Sequence, residues 1–428
     1  MRVCSTYGEI VPTSRDHAFR EIRLDVFPSV PEDADSNTIA TLAGKDLSAV
    51  PKDFPGLVDI GEAMPRPGFR TIRSFHNYQN TPSSEEIVRV LSDGEQEISK
   101  GAFAASSFTD LFNILQASRT LGRKHVILGM GDTGMVTRIR QHILGNEFTF
   151  GYVGKPTAPG QMSADVLERL GDDCRIVGIT GDPVTHSKSP DMQNAAIAAA
   201  GINGIYLRFG SPDLAHMRDV IIGYDIAGMN VTIPHKQEAI HQMDSVSKTV
   251  ETVGAMNTIV NKDGWLVGEN TDVDGITATF SDSDIRGKSV LIMGSGGAAR
   301  AAGYAFTEMG CDTYVIGRNA ATVDSICRDL GTEYAPSPDV SGYDIIVNCT
   351  PIGMYADGRY PADISTLNSD HVVFDMVYGF RTPLLKAAET VGCRSFDGSD
   401  MLVGQGAASF RHWFGIEPDT KVMKEALR

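Results

Sequence analysis

No two cysteines in this 428-residue chain lie close enough to share a metal or form a redox couple. The six (Cys4, Cys174, Cys311, Cys327, Cys349 and Cys393) are scattered, with no CxxC spacing. Such spacing excludes a zinc site and a disulfide framework; it fits free thiols in a reducing compartment, and no metal is expected. Apolar runs are short, and none approaches the roughly 18 residues that span a bilayer. Basic residues are in deficit, 38 Lys and Arg against 54 Asp and Glu, giving a formal net charge of −16. Nucleic acid and anionic membranes reward the opposite balance, so neither is an expected partner and small molecules are. Met1-Arg-Val-Cys-Ser-Thr6 enters a strand-like run at once with no leader pattern, which makes the cytoplasm the expected location. Nothing in the pattern excludes an oligomer.

What is present is an ordinary globular composition, 42% hydrophobic and 21% charged, at a length that asks for two to four domains. Short β-branched runs alternate with helical patterns and no internal repeat, which predicts parallel α/β structure. A short helical pattern over Ala164–Asp173 precedes a fresh strand at Arg175–Thr180, and a polar stretch at Ser281–Lys288 precedes the all-apolar Ser289–Met293. The expected domains are therefore 1–165, 174–284 joined by the C-terminal helices 401–428, and 285–400.

After Ser289–Met293 comes Gly294-Ser295-Gly296-Gly297-Ala298-Ala299, the GxGxxA form of a dinucleotide fingerprint between a strand and a helix. Its glycines let backbone approach a pyrophosphate at a helix N-terminus. The next strand ends in Gly317-Arg318-Asn319, where NAD-binding chains place an acid. An Arg accommodates a 2′-phosphate, so NADP is the expected cofactor. Upstream, Asn230-Val-Thr232-Ile-Pro-His-Lys236 brings an amide, a hydroxyl and an ammonium to a strand end, and Asn257 and Asp272 follow. That set suits a polyhydroxylated substrate.

With these residues in view, 175–428 resembles the shikimate dehydrogenase family along its whole length. Gly181–Pro190 is similar to that family's first substrate loop, in which the resemblance implies that Ser187 and Ser189 hold the substrate carboxylate. Gln193 stands where the family more often has His. Asn348-Cys-Thr350-Pro-Ile-Gly353-Met354 resembles the nicotinamide-side loop, and Asp375–Tyr378 and Met401–Gly406 resemble late motifs whose Tyr378 and Gln405 close on substrate. The resemblance implies a substrate domain, a Rossmann NADP domain, and NADPH-dependent reduction of 3-dehydroshikimate with Lys236 and Asp272 managing the proton.

The first 165 residues resemble a second family, type I 3-dehydroquinate dehydratase, a (β/α)8 barrel. The resemblance rests on Arg73–Pro82, Glu97–Lys100, His125–Gly131, Thr137-Arg138-Ile139 and Thr157–Gln161, with Glu21 and Arg23 in the early Glu-x-Arg motif. It implies that Lys100 forms an imine with the substrate ketone and that His76 removes the adjacent proton. Arg138 would grip the carboxylate, and Thr157 and Gln161 would line a closing loop. An imine-forming Lys must be partly neutral, and a barrel interior is expected to lower its pKa by desolvation.

Eight strand candidates fit this segment: Arg2–Thr6, Glu21–Phe27, Thr38–Leu42, Leu57–Ile60, Thr71–His76, Glu97–Phe103, His125–Met130 and Phe148–Gly151. The segment is shorter than the about 200 residues a barrel needs, so several outer helices of the first half are expected as loops. Where the family usually carries a substrate Arg after its third strand, this chain has Ala43. Two functions stay open: a bifunctional enzyme, dehydratase and then dehydrogenase, or an active shikimate or quinate dehydrogenase carrying a weak or inactive barrel.

Overall fold

Eight parallel strands with apolar inward faces can bury them only by curling towards a barrel, and the first part of the chain does so. The computed structural model describes residues 1–7, 17–65, 68–353 and 358–428. They form two compact units: Met1–Thr185 with Asn203–Ile226, and His186–Ile202 with Ala227–Arg428.

In the first unit the barrel strands are β1 (Val3–Tyr7), β2 (Phe19–Arg23), β3 (Thr38–Thr41), β4 (Leu57–Asp59), β5 (Arg70–Asn77), β6 (Ile98–Ala104), β7 (His125–Met130) and β8 (Thr149–Val153). They run in the order β7-β6-β5-β4-β3-β2-β1-β8, every neighbour parallel. Each strand or its edge supplies a residue to one apolar layer: Cys4, Phe19, Ile39, Leu57, Ile72, Ile98, Val126 and Phe148. That layer is a packed floor, and polar side chains gather towards the C-terminal strand ends, where barrels of this kind carry their chemistry. Among the described residues no α-helix lies between β1 and β5, and a 3-10 turn at Leu47–Ala49 takes the place of one. The helices α1 (Ser84–Ser92), α2 (Phe108–Thr120), α3 (Val136–Ile139) and α4 (Ala164–Leu170) belong to the second half.

At the seam between β7 and β8 the Glu147 N–H donates to the His125 carbonyl (3.0 Å), and a side chain adds to this bond. The Asn146 amide donates to the Ile127 carbonyl (2.9 Å) and accepts from the Ile127 N–H (2.8 Å), so it pairs with β7 as a strand residue would. Two further strands, β9 (Arg175–Gly181) and β10 (Gly204–Gly210), pair in parallel in this unit and are followed by α6 (Met217–Gly223). This piece is fastened to the barrel by buried polar bonds. Fully buried Arg140 donates to the carbonyls of Asp172 (2.7 Å), Tyr224 (2.9 Å) and Asp225 (2.9 Å), while the Tyr224 hydroxyl donates to Leu111 of α2 (2.9 Å). A Cβ on Gly223 would lie 2.4 Å from Leu115, so glycine is what lets α6 meet α2.

The second unit opens with α5 (Ser189–Ala199) and contains two sheets. In one, β11 (Ile226–Val231), β13 (Thr258–Lys262), β14 (Trp265–Glu269) and β12 (Ser245–Val246) lie in that order, with antiparallel pairing through the middle. Helices α7 (Lys248–Val253) and α8 (Asp272–Thr279) lead to the other. There the order is β17-β16-β15-β18-β19-β20, all parallel. Its members are β15 (Ser289–Met293), β16 (Asp312–Ile316), β17 (Glu333–Tyr334), β18 (Ile345–Asn348), β19 (Val372–Asp375) and β20 (Arg394–Asp397). Central β15 has Val290–Met293 buried, as a strand covered on both faces must. Helices α9 (Gly297–Glu308), α10 (Ala320–Leu330) and α11 (Pro383–Val391) flank it, a doubly wound arrangement. The chain ends in α12 (Gly398–Phe414), which packs along α8, and α13 (Thr420–Glu425). Among the described residues no helix is long and apolar enough to cross a membrane.

Arg140→Ala would strand three buried carbonyls, at a cost of about 3 kcal/mol or more. Hydrogen exchange is expected to rise together in residues 136–144 and 217–226; unchanged protection there would show that Arg140 fastens nothing.

Candidate functional site

In the barrel, β6 presents Lys100 inward, only 7% exposed, with its ammonium over the Phe150 ring at 4.3 Å. The Lys100 Nζ donates to Asp59 Oδ2 at the end of β4 (3.0 Å). Asp59 is itself held, its Oδ1 accepting from Ser74 Oγ (2.6 Å) and from the Gly61 N–H (3.1 Å). Asp59 was not among the expected site residues, and it corrects one expectation. Burial alone pushes Lys100 down, but the carboxylates of Asp59 and Glu21 outweigh it, so the ammonium sits above its ordinary range. Burial in turn pushes Asp59 up, yet the Lys100 charge and its hydrogen bonds bring it below the usual carboxylate range. The desolvation argument failed because it counted the apolar wall and not the carboxylates set into it.

His76, on the strand next to Lys100, is pulled below the ordinary imidazole value by burial and then by the Lys100 charge. Glu21 accepts from Thr6 (2.6 Å) and Thr41 (2.7 Å), while Arg23 is engaged bidentately by Asp25 (2.8 and 3.1 Å). Arg138 is buried, and among the described residues its guanidinium donates only to the carbonyls of Gly160 (3.1 Å) and Phe150 (3.3 Å). Burial lowers its pKa to about 10. Gln161 Oε1 accepts from the Thr157 N–H (2.8 Å) and hydroxyl (3.0 Å), shaping the loop after β8. Ala43 takes a left-handed conformation (φ 46°) ahead of Gly44 and offers no cation there.

In the second unit Lys236 Nζ donates to Asp272 Oδ2 at 2.5 Å, and Asn257 Nδ2 donates to Asp272 Oδ1 at 2.9 Å. Asp272 begins α8, where a carboxylate suits the helix dipole. Asn257 is fixed in turn: its Oδ1 accepts from the Thr271 N–H (2.7 Å), and its Nδ2 reaches Gln405 Oε1 (3.4 Å). Asn230 donates to Thr258 Oγ1 (3.1 Å) and Ser409 Oγ (3.0 Å). Thr258, Thr271 and Ser409 form a fully buried hydroxyl cluster behind the site. These three were missed; the two Thr read as strand or loop residues, and Ser409 lies 138 residues beyond Thr271. Thr232 is half-buried just past β11. Ser187 Oγ accepts from the Ser189 N–H (3.2 Å), and the Tyr378 phenol, raised by burial, is hydrogen-bonded to Ser187.

No nucleotide is present, so the fit rests on the residues. Gly294, at φ 128°, packs against the Cys349 carbonyl, where a Cβ would sit at 3.1 Å. Space in front of Gly296 is open, and this glycine N-caps α9 without a side-chain cap, leaving first-turn N–H groups for a phosphate. Ser295 stands against Gly317, and Ala298 lies in the first turn of α9. Arg318 is exposed after β16 and makes no ion pair among the described residues, whereas Asn319 N-caps α10, accepting from Thr322. Thr350 donates to Asn348 (2.7 Å), whose amide holds the buried Asp375 (2.9 Å), and Gly353 turns at φ 93°. Met354 lies outside the described residues. This donor set fits a dinucleotide. A Cβ on Gly297 would stand 3.2 Å from Lys236 Cδ, so the Gly-rich turn borders the Lys–Asp pair. Among the described residues no cluster could hold a metal ion.

Comparison with known proteins finds two families along the chain, and the second match runs across both compact units. Residues 57–171 match the type I 3-dehydroquinase family, 179–259 the shikimate dehydrogenase substrate-binding domain, and 398–428 the shikimate 5′-dehydrogenase C-terminal domain. A shikimate dehydrogenase (NADP(+)) of Carboxydothermus hydrogenoformans is 34% identical over 275 residues, 60% of this chain and 98% of that protein. The chloroplastic bifunctional 3-dehydroquinate dehydratase/shikimate dehydrogenase of Arabidopsis thaliana is 31% identical over 387 residues, 82% of this chain. The alignment spans 64% of the Arabidopsis protein's length. The crystal structure of the Thermus thermophilus shikimate 5-dehydrogenase with NADP(H) and shikimate superposes with a TM-score of 0.56 at 29% identity, covering 59% of this chain and 98% of that one.

Asn257→Leu keeps the volume but leaves Asp272 Oδ1 and the Thr271 N–H without their partner, a loss of about 3 kcal/mol. Both tryptophans, Trp265 and Trp413, lie in the second unit, so denaturant unfolding followed by their fluorescence reads it directly. In the first unit, a His76 pKa below the unfolded value means that acid favours the unfolded chain. Stability is complete above about pH 6.5 and declines as pH falls towards the lower folded value. His76→Gln should flatten that segment; an unaltered pH profile would contradict the shift.

Proposed function

The chain belongs to the shikimate dehydrogenase family, and from that premise we propose that it carries out two successive steps, dehydration of 3-dehydroquinate and NADPH-dependent reduction of the resulting 3-dehydroshikimate. The observation that carries the reductive half is the Lys236–Asp272 pair set against Gly297 of the nucleotide turn. When bound, the nicotinamide supplies the hydride that the ring carbon accepts. Lys236 gives a proton to the oxygen that gains negative charge as this happens, and Asp272 keeps the ammonium charged and aimed. Asn257 fixes Asp272, so the proton donor is held at both ends of its hydrogen-bond chain. Ser187, Ser189, Tyr378 and Gln405 bind the substrate carboxylate and hydroxyls together with Asn230 and Thr232. Backbone groups of Gly294–Ala298 hold the pyrophosphate, Arg318 and Asn319 the 2′-phosphate and ribose, and Thr350 and Gly353 border the nicotinamide.

The dehydratase half rests on Lys100, His76 and Arg138. Among the described residues this buried guanidinium meets carbonyls and no carboxylate, so its charge is left for an anion, which supports Arg138 as the carboxylate receptor. Lys100 forms the imine, neutral His76 removes the adjacent proton, and Glu21 and Arg23 line the mouth with Thr157 and Gln161. The match to the Arabidopsis bifunctional protein supports the pairing of the two steps in one chain. Six free cysteines support a reducing compartment such as the cytoplasm.

Lys236→Ala should lower shikimate oxidation by about 10³-fold in kcat, with NADP affinity by calorimetry within about twofold of wild type. Lost affinity with intact turnover would remove Lys236 from the chemistry. Arg318→Ala should weaken binding of 2′-phosphorylated nucleotide by about tenfold, worth about 1.4 kcal/mol, and leave NAD binding unaltered; equal losses for both would contradict the 2′-phosphate assignment.

A further inference from the structure

Lys100 meets the barrel's chemistry in the wrong protonation state. An ammonium has no electron pair with which to attack a ketone, and the surroundings of Lys100 hold it charged. A base must therefore take its proton within the site. The groups facing it are Cys4 on β1, Glu21 on β2, Asp59 on β4, His76 on β5 and the Phe150 ring on β8. Cys4 is kept a thiol by burial. Glu21 has each carboxylate oxygen occupied by a threonine hydroxyl and is not hydrogen-bonded to Lys100. Among the described residues only Asp59 accepts a hydrogen bond from the Lys100 nitrogen, at 3.0 Å, and it is 1% exposed.

We propose that Asp59 is a catalytic residue of the barrel, taking the proton from Lys100 before attack and returning it to the hydroxyl that leaves as the imine forms. The inference rests on the dehydratase reading. The step balances. The proton passes from the ammonium to the Asp59 carboxylate, and the freed nitrogen pair forms a C–N bond as the carbonyl π pair moves to oxygen. One N–H proton shifts to that oxygen, giving a neutral carbinolamine. Asp59 then returns its proton, the C–O bond breaks with loss of water, and the nitrogen pair completes a protonated imine with Asp59 again ionised. Exchange within the pair is eased because both ions are already out of water, where the neutral pair is least penalised. Ser74 and the Gly61 N–H fix the far oxygen, leaving Oδ2 as the one that faces Lys100. Asp59 thereby supplies a carboxylate from β4, in a chain whose loop after β3 offers Ala43, Gly44 and Lys45.

The alternative role, a carboxylate that merely keeps Lys100 charged, predicts the opposite sign for one experiment. The full-length protein is incubated with 3-dehydroquinate and borohydride, and the rate of adduct formation at Lys100 is read by mass spectrometry. With wild type an adduct at Lys100 is expected; its absence overturns the dehydratase reading and the inference with it. With Asp59→Asn the adduct should form about 10²–10³-fold more slowly at neutral pH. It should recover as pH rises and free amine appears, and Asp59→Glu should regain most of the rate. An Asn variant that labels as fast as wild type, or faster because its amine is no longer held charged, overturns the role of Asp59 and leaves the imine intact. Hydrogen exchange across β4–β6 reports folding, and Asp59→Ser replaces Asn if those strands lose protection.

Discussion

A lysine ammonium paired with a buried carboxylate is the interaction around which each unit is arranged. Two such ions are costly to bury, and each pair survives because further hydrogen bonds fix its carboxylate. Asp59 is held by Ser74 and the Gly61 backbone, Asp272 by Asn257. The surrounding cluster of Asn230, Thr258, Thr271 and Ser409 extends that support, with no polar atom in it left over. Fully satisfied networks of this kind are rigid, and rigidity is what aiming a proton requires.

The barrel shows how little scaffold that arrangement needs. Among the described residues its first half carries no α-helix, and the Asn146 side chain joins a backbone bond from Glu147 to His125 at the seam between β7 and β8. Arg140 and Tyr224 fasten β10 and α6 to the barrel side where α2 lies. Fusion thus has a structural meaning: residues that match the dehydrogenase by sequence complete the packing of the barrel unit.

Much of this was legible in the sequence. β7 was expected over His125–Met130 and is found there, and Lys100 and His76 were placed on neighbouring strands because periodicity marks strand interiors well. The Lys236–Asp272 pair was readable from motif residues. Asp59 was not: it fell inside the expected short strand Leu57–Ile60 with no motif around it, and its partner is 41 residues away. Glu21–Phe27 was too long as a strand because Asp25 turns the chain to meet Arg23. The direction of the Lys100 shift depended on two carboxylates that only folding brings to it, so composition of the barrel wall misled.

The central claim, two lysine–carboxylate sites working in sequence, is tested most directly by following NADPH while 3-dehydroquinate is the sole substrate. The account predicts that wild type consumes NADPH, that Lys100→Ala does not, and that adding 3-dehydroshikimate restores consumption in that variant. NADPH loss with 3-dehydroshikimate but none with 3-dehydroquinate in wild type would contradict it, leaving a dehydrogenase attached to an inert barrel.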